Sequence, residues 1–155
     1  MTVAGANITK CLVGQISDVT PRLISSFAAE EAIEFGRPLM RGTNLETQCK
    51  NFVADVGRTK KFVGVSVRNP IQISGVYPIK SMVSVMEFGR IWVHLTTSLV
   101  VQAGDYAYLN QVTNNITNIS TSDQIRIGRF QSGGTSDGLT GAKLFELELI
   151  PGFQL

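Results

Sequence analysis

Histidine occurs once in this 155-residue chain, at His94, and cysteine twice, at Cys11 and Cys49. A single histidine cannot build a His-rich metal site, and two cysteines without CxxC or Cys/His spacing do not make a zinc site. Two free thiols are the expectation, because a reducing compartment disfavours a disulfide. Charge of one sign is not in excess either: 14 basic residues face 12 acidic ones, a net charge of +2. No strong field therefore points toward nucleic acid or an anionic membrane. No stretch approaches the roughly 18 apolar residues of a membrane span. The opening MTVAGANITKCLVG lacks a basic n-region followed by an apolar h-region, so a cytosolic site of synthesis is expected.

What is present is a β-type pattern. With 43% hydrophobic residues, a chain of this length buries roughly 70% of its unfolded surface and needs no staple. The densest signal is Phe88 to Leu109. There Ile91, Val93 and Leu95 fall on one face and Trp92 and His94 on the other, as strand geometry dictates. Leu99 to Leu109 alternates likewise, with Gly104-Asp105 as a bulge or tight turn, so the two runs are expected to form a hairpin.

Further strands are expected at Ile33 to Met40, Lys61 to Arg68, Met82 to Met86, Ile125 to Phe130 and Lys143 to Ile150. In the second of these Val63, Val65 and Val67 share a face. In the last, Phe145, Leu147 and Leu149 alternate with Glu146 and Glu148, the pattern of a strand with one wet side. The loops 110–123 and 132–141 are rich in Asn, Ser, Thr and Gly and belong at the surface. EFGR, at Glu34 to Arg37 and again at Glu87 to Arg90, reads as turn chemistry used twice and not as a repeat. Ala28 to Ile33 can make a helical turn, and Asn44 to Val56 fits a short helix or an irregular loop about equally.

The expected fold is therefore all-β: a compact barrel or sandwich of short, mostly antiparallel strands with at most one short helix. Residues 1–27 hold no sustained period and read as an extended N-terminal arm, with 28–155 as a single β-rich domain. Such an arm is ordered only by lying on the body or on a partner. The alternative is a first strand and surface loop of the same domain.

No catalytic set converges. His94 sits mid-strand with no nucleophile elbow near it and reads as structural or interfacial. The Gly133 to Gly138 loop has Leu139 and Thr140 where a phosphate-binding loop needs Lys and Ser/Thr. Glu30, Glu31 and Glu34 read as a solvated face, not an acid/base pair. The sequons at Asn7, Asn115 and Asn118 have no consequence without secretion. Trp92, Tyr106, Tyr108 and Phe62, with Lys60, Lys61, Arg68 and Arg90, form a conceivable base-stacking platform, but balanced charge favours core packing. Catalytic, cofactor and metal sites are accordingly expected to be none.

Four phrases in order carry a resemblance: EEAIEFGRPLMRG, KKFVGVSVRNP, MVSVMEFGRIWVHL and VVQAGDYAYLN. Across residues 28–150 the chain resembles the structural cement, or capsid decoration, proteins of tailed bacteriophages. The matching phrases are Phe62 to Val65, Gly89 to Val93 and Val101 to Asp105, after an early Phe-Gly-Arg at Phe35 to Arg37. The resemblance implies a non-enzymatic protein on the outer surface of the virion capsid. Its implied partners are the major capsid protein and further copies of itself, as a dimer or trimer, with no direct nucleic acid and no membrane. It supplies no catalytic residue to carry over. A tail or baseplate structural protein remains the alternative reading, and a small-ligand β-barrel a weaker one.

Overall fold

The computed structural model describes residues 12–17, 21–52, 62–72, 74–95, 100–110, 115–120, 124–132, 135–136 and 143–150. Among them are twelve strands and no helix. Five of the strands are β1 (Leu23–Ala29), β3 (Pro38–Arg41), β4 (Gln48–Asn51), β5 (Phe62–Ser66) and β7 (Met82–His94), which pair in the order β1-β4-β3-β5-β7. Since β7 also pairs with β1, this order closes on itself as a barrel. The short β2 (Ile33–Glu34) and β6 (Val76–Tyr77) form a separate two-stranded ribbon. β8 (Tyr106–Asn110), β9 (Ile116–Thr117), β10 (Gln124–Phe130) and β12 (Lys143–Leu149) extend the sheet from the far half of β7, in the order β7-β12-β10-β8-β9. β11 (Thr135–Ser136) pairs with β12.

β7 is the strand that both halves share. Its first half is a barrel stave, antiparallel to β1 and β5; its second half is antiparallel to β12. Val83 and Val85 face the barrel core with Phe27, Leu39 and Cys49, whereas Met86, Ile91 and Val93 face a second core with Leu109, Phe130 and Leu147. Adjacent Val85 and Met86 are both fully buried. There the barrel wall is also the floor of the second core. The register slips between Leu23 and Ile24, opposite Phe88 and Met86, so one extra β7 residue bulges and the faces exchange. Gly89, at φ +129, follows that bulge.

Several expectations need correction. The hairpin of Ile91–Leu95 with Leu99–Leu109 does not form. β8 begins only at Tyr106 and pairs with β10 and β9, while the second half of β7 takes β12. Alternation reports which face is buried, not which strand lies alongside. Val63 does not share a face with Val65 and Val67: it lines the barrel, and they line the second core. A register shift opposite Leu39 and Met40 inserts one residue there and turns the strand over. The second EFGR is no turn but lies inside β7. The described part of 44–56 is a turn followed by β4, with Asn44 Oδ1 accepting from the Glu46 and Thr47 amides. The expected boundary after residue 27 falls within β1.

Candidate functional site

Among the described residues weighed as chemistry, the three carboxylates Glu30, Glu31 and Glu34 each have a partner of their own. Glu30 accepts from the Thr43 amide and hydroxyl, which, with Lys50 nearby, hold its carboxyl below the usual range. Glu31 accepts from the Asn51 amide at 3.0 Å, and Glu34 pairs with Arg37 at 3.5 Å. Each carboxylate is thus engaged separately at the surface. No group of three potential metal ligands occurs among the described residues. Cys49 is fully buried in the barrel, and burial pushes its thiol up to about 11. Cys11, Asn7, Lys60, Lys61 and the Gly133 to Gly138 loop, apart from the backbone of 135–136, lie outside the described residues.

An open cavity of about 400 Å³ is lined by Val13, the Glu34–Arg37 turn, Ser74 to Val76 and His94. One wall is the segment 12–17, which lies along the edge of β7. The Gly14 amide donates to the Trp92 carbonyl at 2.8 Å, Trp92 donates to Gln15, and Ser17 donates to Arg90. Gly14 and Gly36 make this seat possible. Both have positive φ, and a Cβ on Gly14 would stand 2.9 Å from the Gly36 nitrogen. Ser66, fully buried, fixes the turn from below by donating to the Glu34 carbonyl and accepting from the Arg37 amide.

The other constellation is the outward face of the sheet made by β7, β12, β10 and β8. Cross-strand register sets Tyr106 beside Arg129, Arg129 beside Glu148, and Glu148 beside Arg90. Side chains directly opposite on neighbouring strands share a face, so this is one row across the sheet. Arg90 lies 3.6 Å from Glu148 and 3.9 Å from Glu146. Glu146 also accepts from the Ser17 hydroxyl, and Glu148 from the Gln131 amide group. The guanidinium carbons of Arg126 and Arg129 lie 4.7 and 5.4 Å from the Tyr106 ring centre. Arg126 and Arg129, three apart, would point to opposite faces of a regular strand. A register shift between Arg126 and Gly128 brings both to the same side.

The aromatic platform considered from sequence is not assembled. Trp92 and the two β8 tyrosines are three strand spacings apart, about 14 Å, with Glu146 and Glu148 on β12 and Arg126 and Arg129 on β10 between them. Phe62 packs against the second core. The aromatic rings therefore do not form a continuous track for stacked bases. Sequence reasoning did not single out Arg126 and Arg129. The available signal was Arg-x-Gly-Arg spacing, in which a strand glycine marks a bulge.

A family model described as "Structural cement protein (E217 gp24/Pam3 gp6)" matches residues 2–149. Among solved structures, a chain from "The capsid of Myoviridae Phage XM1" shares the fold with a TM-score of 0.69 at 16% identity, covering 90% of this chain and 91% of that one. No curated protein matches.

Proposed function

Because the chain belongs to the phage structural cement protein family, and so has a structural role in the capsid, we propose that it binds the outer surface of the assembled head. Its sites are the contacts between capsomers, where it engages the major capsid protein and stabilises the shell against the pressure of packaged DNA. The observation that carries this reading is the family match across residues 2–149. It acts by binding, not by catalysis. As a homo-oligomer, dimer or trimer, it gains from effective concentration, since linked weak contacts exceed a single contact by about 10²- to 10⁴-fold. The residues ahead of Leu12, which precede the stretch seated along β7, serve as an arm that adds contact area beyond the barrel.

Co-sedimentation with cognate heads lacking the protein tests the proposal. Saturable binding is expected, and it weakens for a chain beginning at Leu12. Binding untouched by that truncation keeps the cement role and removes the arm. Failure to bind either expanded or unexpanded heads overturns the capsid reading and leaves the tail or baseplate. Truncation to Ala28 is unsuitable, because it deletes most of β1 and opens the barrel.

A further inference from the structure

Among the described residues, the outward sheet face carries three guanidiniums, on Arg90, Arg126 and Arg129, and two carboxylates, on Glu146 and Glu148. How the charges are matched is what matters. Glu148 stands directly beside Arg129 in the ladder, yet its carboxylate is taken by Arg90 at 3.6 Å and by Gln131. Glu146 is held by Arg90 and Ser17. Asp105, the acidic residue next to Tyr106 in the chain, accepts from the Gln102 amide at 3.0 Å and from Asn118 at 3.1 Å, bonds that hold its carboxyl below the usual range.

Arg129 is therefore a cation without a carboxylate among the described residues, and its Nε is buried with no acceptor there. An enclosed Nε is out of reach of an outside group, so a carboxylate arriving from a partner meets the two Nη atoms. Tyr106 holds Arg129 and Arg126 on one ring, and Tyr106 itself is 41% exposed. Stacking on an aromatic face limits the motion of a guanidinium and leaves its Nη edge available for a planar oxyanion.

We propose that Arg129, flanked by Arg126 and braced by Tyr106, is the seat for a carboxylate side chain of the capsid surface that this protein covers. The inference rests on the cement reading and adds the chemistry of one contact to it. The match is planar and two-pronged, so charge alone does not suffice: lysine at 129 keeps the charge and loses the fork.

The test is co-sedimentation with cognate heads across a salt series, using wild type, Arg129→Ala, Arg129→Lys and the double variant Arg126→Ala/Arg129→Ala. Thermal unfolding confirms that each folds, and sedimentation of the free protein reports its own assembly. Arg129→Ala is expected to bind about tenfold more weakly or worse, Arg129→Lys to recover only part of that, and the double variant to show a shallower salt dependence. Variants that bind heads like the wild type overturn the inference and leave the cement reading standing. Variants that lose self-association instead of head binding overturn it in favour of a second copy as occupant. If the wild type retains double-stranded DNA and the variants do not, the seat is for phosphate and the inference falls. A wild type that binds no head removes the cement reading, and this inference with it.

Discussion

Gly128 and Glu148 meet backbone to backbone: a Cβ at position 128 would lie 1.8 Å from the Glu148 carbonyl oxygen and 2.9 Å from its carbon. The obstacle is main chain, which cannot rotate aside. Gly128→Ala is thus expected to separate β10 from β12 and to destabilise the protein by about 2–4 kcal/mol. Urea unfolding measures it. A loss under 1 kcal/mol would mean that the two strands are not packed this closely.

Ser66 supplies the buried support of the Glu34–Arg37 turn. Replacing it with alanine leaves the Arg37 amide without its 3.0 Å acceptor and the Glu34 carbonyl without its 2.6 Å donor. The expected loss is about 1–3 kcal/mol, the penalty for stranding buried polar groups. Ser26→Ala, at an exposed position on β1, stays within about 0.5 kcal/mol and serves as the comparison.

Arg90 separates two carboxylates on one strand face. Glu146 and Glu148 have side chains 16% and 27% exposed, so water screens them incompletely. Arg90→Ala is expected to cost about 1–2 kcal/mol at neutral pH, between the values for exposed and buried pairs. Added salt should restore part of that loss by screening the repulsion between them. Equal stability of wild type and variant at low salt would show that the pairing is incidental.

Cys49 links stability to alkaline pH. Its folded thiol is pushed from 9.0 up to about 11 by burial, with Glu30 adding a smaller push the same way. The unfolded chain therefore loses this proton first. The contribution is complete below about 9 and disappears as pH rises through 11. In a Cys11→Ser background, the melting temperature should fall over that window, and Cys49→Ala should flatten the fall. Tyr77, raised by its own burial, remains in both proteins and cancels in the comparison. A thiol reagent at pH 8 should label Cys49 only after unfolding.

The strands were largely legible in the chain. Alternation at Ile91, Val93 and Leu95, and again at Phe145, Leu147 and Leu149, marks faces that are buried in the second core. Pairing was not legible, because a strand edge carries no label: β7 takes β12, some fifty residues further on. Nor were the face exchanges at Val63 and after Met86, since one extra residue in a strand leaves no compositional trace unless a glycine sits nearby. The Arg129 site stayed hidden for a related reason. Tyr106, Arg129, Glu148 and Arg90 come from four strands and become neighbours only through register. A reading that treats each strand alone sees four ordinary surface residues.

Both halves are built onto β7. A pull on the outer rim of the open sheet reaches the barrel through a single covalent backbone, thirteen residues long, and through the ladders on either side of it. The second core adds side-chain contact between the halves, with Met40 and Val65 of the barrel in the same cluster as Leu109, Phe130 and Leu147 of the open sheet. Halves joined by one strand and one shared core carry load together, so strain entering at one end reaches the other.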